Sequence, residues 1–239
     1  MPARATSGGA TRGTGPVRSR TPTAPSASRP GPARARRAER HPRLRGIPFP
    51  ATAKARRVRS LRSGSVARIE TWDAIVSRRD VRRYEGRAVP DAALDRILEA
   101  GRRAPSASNR QPWDFVVCTD RGQLARLSHV WQGAGHIAAA AATVVLVAPL
   151  PDDERHLGLI HYDLGQATMS MMLAATDLGV GSAHAAIGDQ ALAREILGVP
   201  EDHLCAYLVA LGYPADRPLT PITRPARRPF EEVVHRERW

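Results

Sequence analysis

The sequence predicts an α+β protein in which a sheet packs against helices, one of them long and buried along its length. Helix-like and strand-like segments are interleaved through residues 69–239 without the strict repetition of a βαβ protein. Three short apolar runs have the composition of strands. One longer segment, residues 157–178, is rich in Ala and Met at helical spacing and is typical of a helix inside a fold or at a subunit interface.

Two helices are predicted at the start of this region from apolar residues at helical spacing. The first covers residues 70–77 and presents Trp72, Ile75 and Val76 on one face. The second covers residues 91–101, between a proline and a glycine that mark its two ends.

Three strands are predicted from apolar runs bounded by turn residues. They cover residues 114–119, 143–148 and 204–211. The middle run, TVVLVA, is apolar at every position but the first, as in a strand that is buried on both faces of a sheet.

Four further helices complete the expected elements. They cover residues 123–127, 137–142, 157–178 and 190–197. In the longest of them we interpret Met169, Met171 and Met172 as flexible side chains that fill the core. The last stretch, residues 217–239, is too short to fold alone and must dock on something, for which a symmetric partner subunit is a natural candidate.

The first 68 residues differ in composition from the rest of the chain. They hold 17 of the 36 Lys and Arg residues but only one of the 23 acidic residues, and almost no large apolar side chains. Such a segment cannot bury enough surface to offset the entropy of ordering, so we predict that residues 1–68 are disordered and take no part in the chemistry. A basic, acid-poor leader is also typical of a transit peptide. The alternative is an unselected extension, or a start assigned too early in an Arg-rich and Ala-rich coding sequence.

The formal net charge of +13 comes from this leader. Residues 69–239 carry 19 basic and 22 acidic residues, so the part expected to fold has no basic excess and we expect no specific nucleic-acid partner. No run of 18 apolar residues is present, which predicts no membrane insertion and a cytoplasmic protein.

Cysteine and histidine residues do not have the spacing of a metal site. Cys118 and Cys205 lie in apolar runs and are expected to be buried, reduced thiols. His156 and His161 are five residues apart, which does not place both on one face of a helix, so no metal is expected.

Four arginines occur within six residues in the sequence RRDVRR that starts at Arg78. A forked guanidinium matches a phosphate bidentately, so a phosphate-bearing ligand is one interpretation. The alternative is surface charge with Asp80 as a local partner.

A polar loop, APSASNRQPW at residues 104–113, connects a predicted helix to a predicted strand. Its Ser, Asn and Gln side chains offer the neutral donors and acceptors that the edge of a heterocycle requires. The alternative is a turn in which Asn109 caps its own backbone.

Taken together, these segments resemble the nitroreductase family of FMN enzymes. The resemblance includes SRRDVRRY at residues 77–84, APSASNRQPW at 104–113, and three later segments in the same order. These later segments are LGVGS at 178–182, LVALGYP at 208–214 and RRPFEEVVH at 227–235. The resemblance implies a nitroreductase-like FMN-binding domain over residues 69–239, with a mostly antiparallel central sheet flanked by helices and an intertwined homodimer with two FMN sites at its interface.

The resemblance also implies flavin-binding residues. They are Arg78, Arg79, Asp80, Arg82, Ser108, Asn109, His184, Ala185, Ala186, Arg227 and Arg228. Arg78 would bind the phosphate, helped by the two arginines near the C-terminus, and Asn109 would hydrogen-bond the ring. Arg82 would face flavin N1 and the C2 carbonyl, where it would stabilise the reduced flavin.

The implied activity is hydride transfer from NADH or NADPH, through flavin N5, to a nitroaromatic, a quinone or a similar small acceptor. No catalytic side chain is expected, because flavin N5 carries the hydride. Two alternatives stay open: a specialised relative such as dimethylbenzimidazole synthase, which shares the Arg-Arg-Asp-Val-Arg form, and a protein that sequesters FMN without catalysis.

Overall fold

The computed structural model describes residues 69–239. The expectations for residues 1–68 lie outside this range. Within residues 69–239 there are six α-helices, α1 to α6 in chain order, together with two short 3-10 turns at Ala107–Asn109 and Gly135–Ala139. The helices are Thr71–Ser77, Asp91–Arg102, Arg121–Leu127, Glu154–Asp177, Gln190–Leu197 and Phe230–Val233.

In the part of the chain that the structure describes, four strands form one antiparallel sheet. In chain order, β1 to β4, they are Asp114–Cys118, Ala142–Pro149, Gly181–Ala186 and His203–Gly212. Their order in the sheet is β1-β2-β4-β3, and every neighbouring pair is antiparallel. The predicted α+β class with an antiparallel sheet is therefore confirmed.

The sheet is covered by helices on both faces, which is why its two central strands are buried. Alternate residues of β2 point to opposite sides: Val144 and Leu146 contact the cluster that includes α2 and α4, whereas Val145 and Val147 contact the cluster that includes α3 and α5. The predicted burial of residues 143–148 on both faces is confirmed.

Strand β3 is the element that the sequence pattern missed. Its sequence, GSAHAA, contains no Val, Ile, Thr, Phe, Tyr or Trp, so nothing local favours a strand. The segment is extended because it pairs with β4 over six residues, from the Gly181–Gly212 pair to the Ala186–Tyr207 pair. This pairing is non-local and places β3 at one edge of the sheet.

The first helix turns a different face to the core from the one predicted. Ala74 and Ser77 are buried, whereas Trp72 is 61% exposed and Ile75 is also exposed. The spacing of apolar residues identifies the apolar face of a helix but does not show which element packs on that face. Within residues 69–239, no helix or strand covers Trp72 and Ile75 of α1.

The long helix α4 is buried along one side only, which corrects the expectation that it is buried along its length. Leu164, Ala167 and Met171 pack against the sheet and α2. On the opposite side Tyr162 is 69% exposed, and Met169 is also exposed and does not fill the core. The predicted core positions of Met171 and Met172 are confirmed.

Both cysteines are free and buried, as expected. Burial raises the pKa of the Cys118 thiol to about 11, and it also raises the pKa of Cys205. No helix within residues 69–239 is long and apolar enough to cross a membrane.

Candidate functional site

The arginine-rich segment after α1 is extended and lies beside the open edge of β3. Asp80 and Ser182 form a parallel β-bridge, and the backbone N–H of Val81 donates to the carbonyl of Ser182 at 2.9 Å. Successive side chains of an extended segment point to opposite sides. Val81 is fully buried, so Arg78, Asp80 and Arg82 are on the side away from the core.

One carboxylate connects the two arginines on this side. Oδ1 of Asp80 accepts from Nη1 of Arg78 at 3.3 Å, and Oδ2 accepts from Nη2 of Arg82 at 3.0 Å. The three side chains together carry a formal charge of +1. Arg82 is 58% exposed, so its guanidinium is accessible to a ligand.

Arg79 points to the other side and contacts the C-terminal segment. Its guanidinium donates to both carboxylate oxygens of Asp216, at 2.6 and 3.2 Å, and to the carbonyl of Arg217 at 2.6 Å. This ion pair holds the pKa of Asp216 low, at about 2. Arg79 is only 10% exposed and borders a cavity of about 270 Å³ formed with residues 217–224, so it is separated from Arg78 and Arg82.

Within the described residues 69–239, the outer edge of β3 beyond Ser182 provides backbone groups that no other strand pairs with, next to these arginines. In an antiparallel pair the N–H and C=O groups of alternate residues point away from the partner strand. The Ser182 carbonyl points outward to Val81, so the backbone groups of His184 and Ala186 point to the same open side. The side chains of His184 and Ala186 are exposed as well.

Ala185 differs from its two neighbours. Its side chain is buried on the opposite face of the sheet, in the cluster that includes α3 and α5. Of the three predicted residues in this strand, only His184 and Ala186 face the open edge.

The loop after α3 lies beside the end of β3, and we call the surface bordered by Arg78, Arg82, the outer edge of β3 and this loop the crevice. The Trp131 indole lies on Gly188, where an added Cβ would overlap the ring. Next to it, His136 is half-buried, and its pKa is lowered first by burial and then by the charge of Arg82. The sequence patterns did not identify His136, since no motif surrounds it. Trp131 is exposed on its outer side.

The polar loop at residues 104–113 is held in a strained conformation. Ser108, Asn109 and Gln111 have φ angles of 53°, 55° and 52°, in the left-handed region that residues with a Cβ seldom adopt. Asp163 of α4, which is 2% exposed, anchors this loop because both carboxylate oxygens accept from the Ala107 N–H at 3.1 Å. The anchor leaves Ser108 and Asn109 exposed to solvent.

Within one copy of the chain, the polar loop is attached near the middle of α4, whereas β3 follows the C-terminal end of this helix. The loop is attached at Asp163, whereas β3 and the arginine segment begin near the end of the helix at Asp177. These two aspartates are separated by about 21 Å along the helix axis at 1.5 Å per residue. Over the described residues of one copy, Asn109 and Arg82 share no hydrogen bond.

The two arginines near the C-terminus are exposed. Arg227 donates to the carbonyl of Ala226 at 3.0 Å, and Arg228 pairs with Glu232 at 3.4 Å. Neither one forms a hydrogen bond or an ion pair with the arginine segment in the part of the chain that the structure describes. Over the same residues, no group of three or more His, Cys, Asp or Glu side chains could hold a metal ion.

These features define an α+β protein with a basic crevice along a sheet edge, suited to an anionic ligand that also forms backbone hydrogen bonds. The family model described as "Nitroreductase family" matches residues 75–150 and 123–213. The chain belongs to the nitroreductase family.

Relatives of known name support this membership. An NADH dehydrogenase of Thermus thermophilus is 33% identical over 200 residues, covering 70% of this chain and 95% of the relative. A protein of Archaeoglobus fulgidus is 32% identical over 174 residues, covering 71% of this chain and 99% of the relative. The oxygen-insensitive NADPH nitroreductase of Salmonella typhimurium is 29% identical, covering 71% of this chain and 74% of the relative.

A solved structure shows the same fold. An FMN-dependent nitroreductase of Clostridium difficile superposes with a TM-score of 0.61 at 24% identity, covering 70% of this chain and 99% of the other. At this identity, the likeness concerns the fold alone.

Proposed function

We propose that this chain is an FMN-dependent oxidoreductase that transfers a hydride from NADH or NADPH, through flavin N5, to a nitroaromatic, a quinone or a similar conjugated acceptor. The observation that carries the proposal is the position of Arg78 and Arg82 beside the open edge of β3 in a member of the nitroreductase family. The names of relatives agree with it, since one is an NADPH nitroreductase and another, from Vibrio harveyi, an NADPH-flavin oxidoreductase.

The residues of the crevice fit FMN. Arg78 offers a forked guanidinium for the phosphate, and the outward backbone groups of His184 and Ala186 suit the alternating N–H and C=O groups of the flavin ring. The Ser182 hydroxyl is buried without a hydrogen-bond partner, as expected of a polar group that a ligand would satisfy. Apart from His184, the side chains along β3 are those of Gly, Ser and Ala, which leaves room for a planar ring.

In this proposal the chain binds and orients the flavin and supplies charge. FMN supplies the hydride chemistry at N5 when it is bound, so no nucleophilic side chain is required. Reduction adds negative charge on the N1 and C2 carbonyl side, where the fixed guanidinium of Arg82 would stabilise it. Arg227 and Arg228 would approach the phosphate only if the exposed C-terminal segment docks.

We also propose a homodimer in which the polar loop of one copy completes the site of the other. Ser108 and Asn109 are exposed and lie far along α4 from the arginines of their own chain. The exposed apolar side chains of α1, α4 and the C-terminal segment offer a surface for a second copy. They are Trp72, Ile75, Leu159, Tyr162, Met169, Phe230, Val233, Val234 and Trp239.

The remaining proposals concern the leader and the location. The family match begins at residue 75, so we propose that the FMN-binding domain starts near Ile69 and that residues 1–68 take no part in the chemistry. A chain starting at Ile69 should then keep its flavin and its activity. We propose a cytoplasmic location, where NADH and NADPH are supplied.

An absorbance spectrum from about 300 to 550 nm tests the function directly, because protein-bound flavin absorbs in this range whereas a protein without a chromophore does not. Purified protein with added FMN should retain flavin bands through gel filtration, and anaerobic NADH or NADPH should bleach them. Reoxidation by a nitroaromatic or a quinone should restore the bands. Bound flavin that never bleaches would favour a protein that sequesters FMN. Consumption of FMN itself under air would favour a dimethylbenzimidazole synthase. Absence of bound flavin would overturn the proposal.

A further inference from the structure

Asp80 is placed to control how much positive charge the crevice presents. Each of its carboxylate oxygens accepts from a different arginine, Arg78 at 3.3 Å and Arg82 at 3.0 Å. One negative charge therefore offsets half of the charge of the two guanidiniums. Without it the same side of the segment would carry +2 rather than +1.

We propose that Asp80 sets the reduction potential of the bound flavin by partly neutralising Arg82, and so acts as a positioning residue rather than a catalytic one. The proposal rests on the proposed function, since it concerns FMN bound beside Arg82. Reduction by NAD(P)H brings two electrons and one proton to the flavin and leaves an additional negative charge on its N1 side. A carboxylate paired with the nearest guanidinium opposes that charge.

A purely structural role for the carboxylate is less consistent with the local contacts. The backbone of this segment is already fixed by the hydrogen bond between Val81 and Ser182. The fully buried Val81 side chain packs against Gly181, where an added Cβ would lie 2.6 Å from Cγ2 of Val81. These backbone and apolar contacts of the segment do not involve the Asp80 side chain.

The carboxylate also fixes where the two guanidiniums lie. Arg82 is 58% exposed and would otherwise sample many rotamers in water. A pair of hydrogen bonds to one short side chain limits both arginines to the same side of the segment. Both the net charge on this side of the segment and the orientation of the two guanidiniums therefore depend on Asp80. Of these two effects, only the change in charge shifts the reduction potential in a predictable direction.

The variant Asp80→Asn removes the charge and keeps the size and one acceptor. We expect it to raise the preference for reduced over oxidised FMN about tenfold, which corresponds to about 30 mV for a two-electron couple. The midpoint potential of bound FMN should become more positive by this amount, measured by equilibration with a reference dye. Reduction by NADH should become faster and reoxidation by a fixed quinone slower.

Asp216→Asn is the matched control. It removes another carboxylate that pairs with a neighbouring arginine, but Asp216 binds Arg79 on the opposite side of the segment. Its potential should equal that of the unmodified chain. Asp80→Ser provides a second charge-removing variant and should shift the potential in the same direction as Asp80→Asn.

The outcomes separate this inference from the proposed function. Failure of the unmodified chain to bind FMN overturns the proposed function. Bound, reducible FMN whose potential is the same in the unmodified chain, Asp80→Asn and Asp80→Ser overturns the role of Asp80 alone. An equal shift in Asp216→Asn would also overturn it, because the effect would then be general to the basic surface.

Discussion

The arginines of the arginine-rich segment form two groups with different contacts. Arg78 and Arg82 share Asp80 on the side of the open crevice, whereas Arg79 fastens the C-terminal segment through Asp216. Because side chains alternate along an extended backbone, neighbours in the sequence are separated in space.

Arg78→Ala should weaken the binding of FMN by about 1.5 to 3 kcal/mol, the range for a hydrogen bond to a charged group. Arg83→Ala is the control, since Arg83 is an exposed arginine of the same segment on the side of Val81. Isothermal titration with FMN and with riboflavin, which lacks the phosphate, measures the difference. Equal loss for both ligands would place the phosphate elsewhere.

The Arg79–Asp216 pair gives a prediction for pH. The pKa of Asp216 is lowered from 3.8 to about 2, so the pair stabilises the folded chain above the unfolded pKa and loses this contribution as pH falls from about 4 toward 2. At pH 7, urea unfolding should give Asp216→Asn a lower free energy of unfolding than the unmodified chain. This difference should become smaller below pH 4. A deficit that is independent of pH would contradict the ion pair.

Gly181 is required where β3 meets the arginine segment. An added Cβ would lie within 3 Å of three side-chain carbons of the buried, β-branched Val81, which has few rotamers to relieve the contact. Gly181→Ala should therefore lower the free energy of unfolding by about 1 to 3 kcal/mol. Gly158→Ala, at a helical position with nothing within 4 Å, should instead raise it by about 0.5 to 1 kcal/mol.

At the scale of elements, α4 organises the molecule. It packs on α2 and the sheet, anchors the polar loop through Asp163, and binds the chain just before α1 through Asp177, which accepts from the Ile69 N–H at 3.0 Å. A rigid helix therefore sets the distance between the loop and the arginine segment.

Asp163→Ala should release the polar loop. It removes the buried carboxylate that accepts from the Ala107 N–H, which should cost about 1.5 to 3 kcal/mol of folding free energy. Hydrogen exchange over residues 105–111 should speed up more than exchange in β2. Asp163→Asn, which keeps one acceptor, should have an intermediate effect, and unchanged exchange in both variants would show that the loop holds its own conformation.

At the scale of the whole molecule, the chain leaves apolar surface exposed on α1 and α4. We predict that Tyr162→Asp prevents the association of two copies. Tyr162 is 69% exposed within one copy, and the proposed dimer interface would bury the new charge without a partner. Light scattering after gel filtration should show a monomer that has also lost FMN, if the site is shared.

Val117→Asp tests whether any charge on an exposed apolar side chain has this effect. Val117 is exposed on β1, at the sheet edge opposite β3. This variant should stay associated and keep its flavin. A monomeric unmodified chain that binds FMN fully would contradict the shared site.

Local patterns determined most of the elements. The helix over residues 190–197 has the predicted bounds, and the helix at Asp91 begins where predicted. Three of the four strands were also predicted. These elements could be predicted because the spacing of apolar residues, and the glycines and prolines that end each run, are properties of short segments. The resemblance to the family depended on the same kind of short, ordered motifs.

Only the tertiary structure decided which partners those segments have. Strand β3 exists because β4 pairs with it, Trp72 and Ile75 of α1 are exposed because no helix or strand within residues 69–239 packs over them, and Ala185 is buried because its side of the sheet is covered. The Asp80 carboxylate joins Arg78 and Arg82 while Arg79 turns to Asp216, although all four arginines of the segment look alike in the sequence. Pairing and burial depend on residues that are distant along the chain, so no local pattern contains them.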